Sequence, residues 1–207
     1  MTDRPIIFSA PMVQALIEGR KTQTRRILKK GCPASRNLIL PDGPNKGAVQ
    51  LNYAPGNRLW VKEAWRIDGA GCRVPAEMCR LHRVVEYRAD GYEPDRHAER
   101  SPIFMPRWAS RLTLTVSDVR VQRLQDISEA DAWAEGCRRG EMNDHGEPFP
   151  ADEPDPSGIG ERGWDCAGDW FADLWNSIHG PDAWDANPWV VALTFDVHRG
   201  NIDEVQP

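Results

Sequence analysis

Lys21, Thr24 and Arg26 fall within six residues of one another, in the run Glu18-Gly19-Arg20-Lys21-Thr22-Gln23-Thr24-Arg25-Arg26. Side chains alternate along an extended chain, so Thr24 and Arg26 are expected on one face. Lys21 lies just past Gly19 and can reach the same side. The run therefore offers an ammonium, a hydroxyl and a guanidinium together. Lysine and arginine hold phosphates or carbonyl oxygens. A lysine of depressed pKa can also take the hydroxyl proton and turn Thr24 into a nucleophile. A leaving group then needs an acid. Glu135 is the candidate, because it closes a predicted helix beside Gly136, where the helix dipole disfavours a carboxylate unless something else holds it. Taken singly, each of these residues also has a plain reading as a solvated side chain near a helix end.

The elements that must position them are read from punctuation and period. Ile6–Phe8 is a short apolar run, expected as the first strand, and Pro11 after Ser9-Ala10 opens a helix that Gly19 ends. Gly31–Gly56, rich in Pro, Gly and Asn, reads as a long loop. Arg58–Trp65 after the Pro55-Gly56-Asn57 turn reads as a strand, as do Val84–Arg88 and Arg111–Val121, where Leu112, Leu114 and Val116 alternate with polar residues. Ser128 three residues before Asp131 marks a helix start, and that helix runs to Glu135. Arg139–Gly168 is acidic and reads as an exposed insertion. Trp170–Ile178 is an amphipathic helix and Pro188–Val197 a closing strand. Strands with short helices at the edge predict an α+β class, a small β-barrel with flanking helices and loop insertions.

Bulk properties narrow the function classes. The chain has 207 residues, is 40% hydrophobic and carries a net charge of −5, which predicts one soluble domain. No apolar run is long enough to span a bilayer, and the first residues do not resemble a signal peptide, so a cytoplasmic location is expected. The five cysteines, Cys32, Cys72, Cys79, Cys137 and Cys166, contain no CxxC pair. Free thiols are expected rather than a zinc site built on Cys72, Cys79 and His82, and neither a metal nor a cofactor is predicted. Charge is segregated: Met1–Arg66 holds 12 Lys/Arg against 4 Asp/Glu, a net of +8, and Glu141–Asp185 holds 12 Asp/Glu against Arg162 alone, a net of −11. The basic third is suited to an anion; the two regions also simply neutralise one another. Of nine tryptophans, Trp60, Trp65, Trp170, Trp175 and Trp189 fall in strand or helix patterns and are expected in the core. Trp108, between Arg107 and Arg111, suits base stacking or packing against the fold.

The run around Lys21 resembles the signature of ASCH domains, in essence GxKxxxxR near the start of a PUA-like barrel. Asn57–Glu63, Leu112–Glu135 and Pro188–Val197 look like that family's later strands and helix. Together these pieces cover about half the chain, with Cys32–Pro55, Ile67–Arg100 and Arg138–Ala167 as insertions into a single domain. Similar proteins occur in phages and prophages. Some members cleave N4-acetylcytidine to cytidine and acetate. The resemblance implies Lys21 as base, Thr24 as nucleophile and Glu135 as acid, with Glu129 a competitor in the same helix. With this goes a basic cleft in which Gly19, Arg25, Arg26 and Glu63 contact the substrate, a modified nucleoside, to which the position of Trp108 between two arginines adds that residue. Other members bind or cut RNA, which keeps an RNA-binding module, with or without ribonuclease activity, as the alternative. Oligomeric state is not implied.

Overall fold

The computed structural model describes residues 3–28, 37–39, 48–67, 85–92, 99–142, 144–154 and 161–205. The chain is α+β and divides into two compact units, one formed by Met1–Gly19, Ala54–Ser117 and Phe195–Pro207, the other by Arg20–Tyr53 and Asp118–Thr194.

In the first unit β1 (Asp3–Ile7) runs parallel to β5 (Arg58–Lys62), Ile6 opposite Val61. β5 pairs antiparallel with the first half of β8 (Leu112–Arg123), Leu59 opposite Leu114. The end of β13 (Trp189–Arg199) lies next to β8. The alternation predicted for β8 holds, since Leu112, Leu114 and Val116 are buried. Thr113 is buried too, because its hydroxyl donates to the Gly200 carbonyl at 3.0 Å and so loses nothing on leaving water. Helix α1 (Ala10–Ile17) starts after Ser9 with Pro11 in its first turn and buries Val13, Ala15 and Leu16. Gly19, at φ +76°, sits just past its end, a backbone state that costs glycine little. The Arg58–Trp65 stretch is broken: β6 (Trp65–Ile67) leaves β5 and pairs with β7 (Val85–Tyr87). Trp65, Ile67, Met105 and Ala109 form a buried cluster under Val85, Tyr87 and Trp108.

In the second unit β2 (Gln23–Ile27) pairs antiparallel with β13, Thr24 opposite Leu193 and Arg26 opposite Val191. Helix α2 (Glu129–Ala134) begins at Ser128, whose hydroxyl accepts the Asp131 N–H at 3.2 Å, as its sequence predicts. Helix α3 (Ala167–His179) buries Ala167, Trp170, Phe171 and Trp175 along one stripe. Two stretches read as loop contain strands. β3 (Asn37–Ile39) and β4 (Ala48–Gln50) form a hairpin inside Gly31–Gly56. The acidic insertion holds β9 (Arg139–Met142) with β10 (Pro148–Pro150) and β11 (Glu153–Pro154) with β12 (Glu161–Arg162). Strands of two to four residues are too short to show a period against Pro- and Gly-rich flanks.

Within each unit the sheet is open, with β1 at the edge of the first and β2 at the edge of the second, and no pairing among the described residues closes a ring. No helix of the described residues is long and apolar enough to cross a membrane. Cys32, Cys72, Cys79 and His82 lie outside the described residues.

Candidate functional site

The second unit gathers charge on the face of β2 that carries Gln23 and Arg25. Asp131 and Glu135 are four apart, hence on one side of α2. Chain pairing brings that side to the start of β2: Lys21 forms an isolated antiparallel bridge with Glu135, and the Thr22 N–H donates to the Ala134 carbonyl at 2.9 Å. The Arg20 guanidinium donates to the Gly136 carbonyl just beyond.

Lys21 Nζ donates to Glu135 Oε2 and to the Glu135 carbonyl, both at 2.7 Å. Each residue is only 2% exposed, so the pair is removed from water. Arg25 closes the other side of the carboxylate, with one guanidinium nitrogen donating to Glu135 Oε1 and the other to Asp131 Oδ2, each at 2.9 Å. Asp131 also accepts from Gln23 Nε2 at 2.8 Å and from Arg120 at 2.9 Å. The Arg25 guanidinium lies 5.7 Å from the Phe171 ring centre on α3. These contacts answer the question that sequence poses about Glu135. A carboxylate at a helix C-terminus is tolerated because two buried cations meet it.

Burial lowers the pKa of Lys21 below 10.5; Glu135 opposes that through its charge and hydrogen bond, and the charges of Arg26 and Arg25 add to the lowering. Burial also lowers Arg26, against the influence of Tyr53 and Glu135, though a guanidinium stays charged. Burial alone would raise the Asp131 carboxyl, but hydrogen bonds from Gln23 and Arg120 and the charges of Arg25 and Arg120 hold it below 3.8. His179, tilted on Trp175 at 4.2 Å between ring centres, is lowered from 6.5 by burial and by Arg26.

Lys21 and Glu135 are thus brought together, and Arg26 is close enough for its charge to act on both. Thr24 is 4% exposed and sits on the opposite face of β2 from Arg25. Its hydroxyl makes no hydrogen bond to either partner among the described residues. Glu129 is occupied elsewhere: its two carboxylate oxygens accept the Ala167 and Gly168 N–H groups at 2.7 and 3.1 Å, capping α3. The Arg25 side chain, expected to meet substrate, is fully buried and committed to two carboxylates. In the first unit, Glu63 is buried and held by Arg111 at 2.9 and 3.0 Å, and Trp108 stacks edge-on against Trp65 at 6.4 Å between centres. Gln23, Asp131 and Arg120 are members of the network that reading the sequence missed. Their signal is present as alternate residues on a strand and an i, i+4 carboxylate pair on a helix, but pairing the two faces needs the fold. No family model matches the chain, and no curated protein or solved structure matches it.

Proposed function

We propose that the chain is an amide hydrolase that cleaves the N4-acyl group of an acylated cytidine to cytidine and a carboxylic acid, on a PUA-like barrel of the ASCH type. The observation that carries this reading is the buried Lys21–Glu135 pair, with its 2.7 Å contact three residues from Thr24.

The proton inventory of such a pair suits the reaction. Ammonium with carboxylate, and amine with carboxylic acid, hold the same number of protons and differ only by a shift along one hydrogen bond. Burial favours the neutral form, while Arg25 favours the ionised one. In the neutral form Lys21 is a base and Glu135 an acid. Thr24 Oγ1 attacks the amide carbonyl carbon as its proton passes to Lys21 Nζ. The C–N bond breaks as Glu135 protonates the departing N4 amine, leaving an acyl ester on Thr24 and an ionised pair. Water then attacks the ester and gives a proton to Glu135. Lys21 returns its proton to Thr24 Oγ1, the acid leaves, and the neutral pair is restored. Arg26 stabilises the oxyanion at both stages. Thr24 lies on the β2 face opposite Arg25, so the step requires Lys21 Nζ, which precedes the strand, to turn from Glu135 toward Thr24 when substrate binds.

RNA binding has less support. Arg58 is paired with Asp3 and Arg66 with Glu86, so these parts of the basic third are already occupied, and Trp108 packs edge-on against Trp65.

The test is hydrolysis of N4-acetylcytidine by the purified chain, followed by absorbance, beside Lys21→Ala and Thr24→Ala variants shown to be folded. Turnover by the parent alone is expected. No turnover by the parent overturns the activity, and turnover by Thr24→Ala overturns the nucleophile. If the parent shows no turnover, RNA titration at rising salt is the next measurement.

A further inference from the structure

We infer that Asp131, acting through Arg25, is a positioning residue that keeps one Glu135 oxygen turned to Lys21 and sets how tightly Lys21 holds its proton. This rests on the reading of Lys21 and Glu135 as the reactive pair, but its test does not need turnover.

A glutamate carboxylate turns easily about its last torsion, so a fixed Oε2–Nζ contact needs a second hold on Oε1. Arg25 supplies it. The guanidinium is a rigid planar fork, and its orientation is set by what its other arm grips, which is Asp131 Oδ2 at 2.9 Å. Asp131 is itself fixed by Gln23 at 2.8 Å and Arg120 at 2.9 Å, and the Phe171 ring backs the fork. The chain of contacts runs from the reactive pair outward to Arg120, whose side chain is 42% exposed and also lies 3.4 Å from Asp118.

Without the Asp131 charge, Arg25 is free to bring both arms to Glu135 and to compete with Lys21 for Oε2. Glu135 is then more fully neutralised, and Lys21 releases its proton at lower pH. The charged groups acting on Lys21 are Glu135, Arg26 and Arg25; those on Asp131 are Arg25 and Arg120. Removing Arg120 has the opposite sign, because a less neutralised Asp131 draws Arg25 away from Glu135.

The experiment is an NMR titration of the lysine side chains in full-length protein labelled at Cε. The chain has five lysines, and Lys21→Met identifies the Lys21 signal. In Asp131→Asn the Lys21 midpoint is expected at lower pH than in the parent. In Arg120→Gln, at the exposed end and least able to disturb folding, it is expected at higher pH. If the parent hydrolyses N4-acetylcytidine, Asp131→Asn lowers kcat by about 10- to 100-fold at unchanged KM. A Lys21 midpoint that stays put in folded Asp131→Asn overturns the inference. Should that variant not fold, an unmoved midpoint in Arg120→Gln does so. A parent that titrates as expected yet hydrolyses nothing overturns the proposed activity and leaves the positioning role standing.

Discussion

Two carboxylates in this molecule are buried to the same degree and meet different surroundings. Glu63, in the first unit, is 1% exposed and gripped by both arms of Arg111, which continues to the exposed Asp90 and lies 3.9 Å over the Tyr87 ring. Glu135, in the second, is 2% exposed and divided between Arg25 and Lys21. Arginine cannot give up its proton, so the cation of the Glu63 site is fixed, while burial raises the Glu63 pKa against Arg111. Lysine can give up its proton, and burial moves Lys21 toward doing so. The first arrangement holds β5 to the start of β8. The second, on the proposed reading, holds a transferable proton.

The largest effect that tests this contrast comes from removing one partner. Lys21→Met leaves Glu135 buried with a single cation. It should cost about 3–5 kcal/mol in urea unfolding, as for other broken buried pairs, and abolish N4-acetylcytidine hydrolysis. Replacing both partners, Lys21→Met with Glu135→Leu, should return most of that stability, since well-packed apolar groups often match a buried ion pair. Activity should stay absent. Failure of the double variant to regain stability would make the pair a structural device like Glu63–Arg111.

Next is the Glu63 counterpart. Glu63→Gln keeps the shape but leaves Arg111 with Asp90 alone. A loss of about 1–3 kcal/mol is expected, with kcat and KM unchanged. A fall in kcat would return Glu63 to the substrate contacts that its sequence context implies.

The pH dependence of stability has the same sign for Lys21 and Asp131 and separates them by window. The Lys21 pKa in the folded chain lies below 10.5. Between those two values the unfolded chain holds a proton that the folded chain has released, so stability rises with pH across that window. Below it, the cost of burying an ammonium is fully present. Asp131 is held below 3.8, so it contributes stability above that pH and loses it as pH falls through its lower folded value. Unfolding free energy measured from pH 7 to 10 should climb for the parent more than for Lys21→Met. Equal slopes would show that Lys21 titrates as an ordinary surface lysine.

The legible parts of the fold are those with period or punctuation. The β8 alternation, the proline at the start of α1, the glycine at its end and the Ser128 cap each express a local rule, and each is present in the structure. The Lys21–Glu135 contact was legible only as an expectation, because 114 residues separate the two and only chain pairing joins them. The Asp131–Arg25 arm was not legible. Asp131 reads locally as part of a helix start, and its second role depends on β2 lying beside that helix. Arg25 shows the converse: its place in a basic run suggests an exposed anion contact, and two carboxylates arriving from α2 bury it.

Glu129 gives the smallest and sharpest of these tests. It stands six residues before Glu135, and by spacing alone either could serve as the acid. Its carboxylate fills the start of α3, taking the Ala167 and Gly168 N–H groups, where a negative charge is favoured by the helix dipole. Glu129→Gln keeps one acceptor, turns an amide donor toward the other N–H and removes the charge. A loss of about 1 kcal/mol is expected, read as a lower urea midpoint at unchanged m-value. The Lys21 titration and N4-acetylcytidine turnover should not move. A variant that stays stable but loses turnover would exchange the roles of the two glutamates, since a cap contributes to helix docking and not to proton transfer.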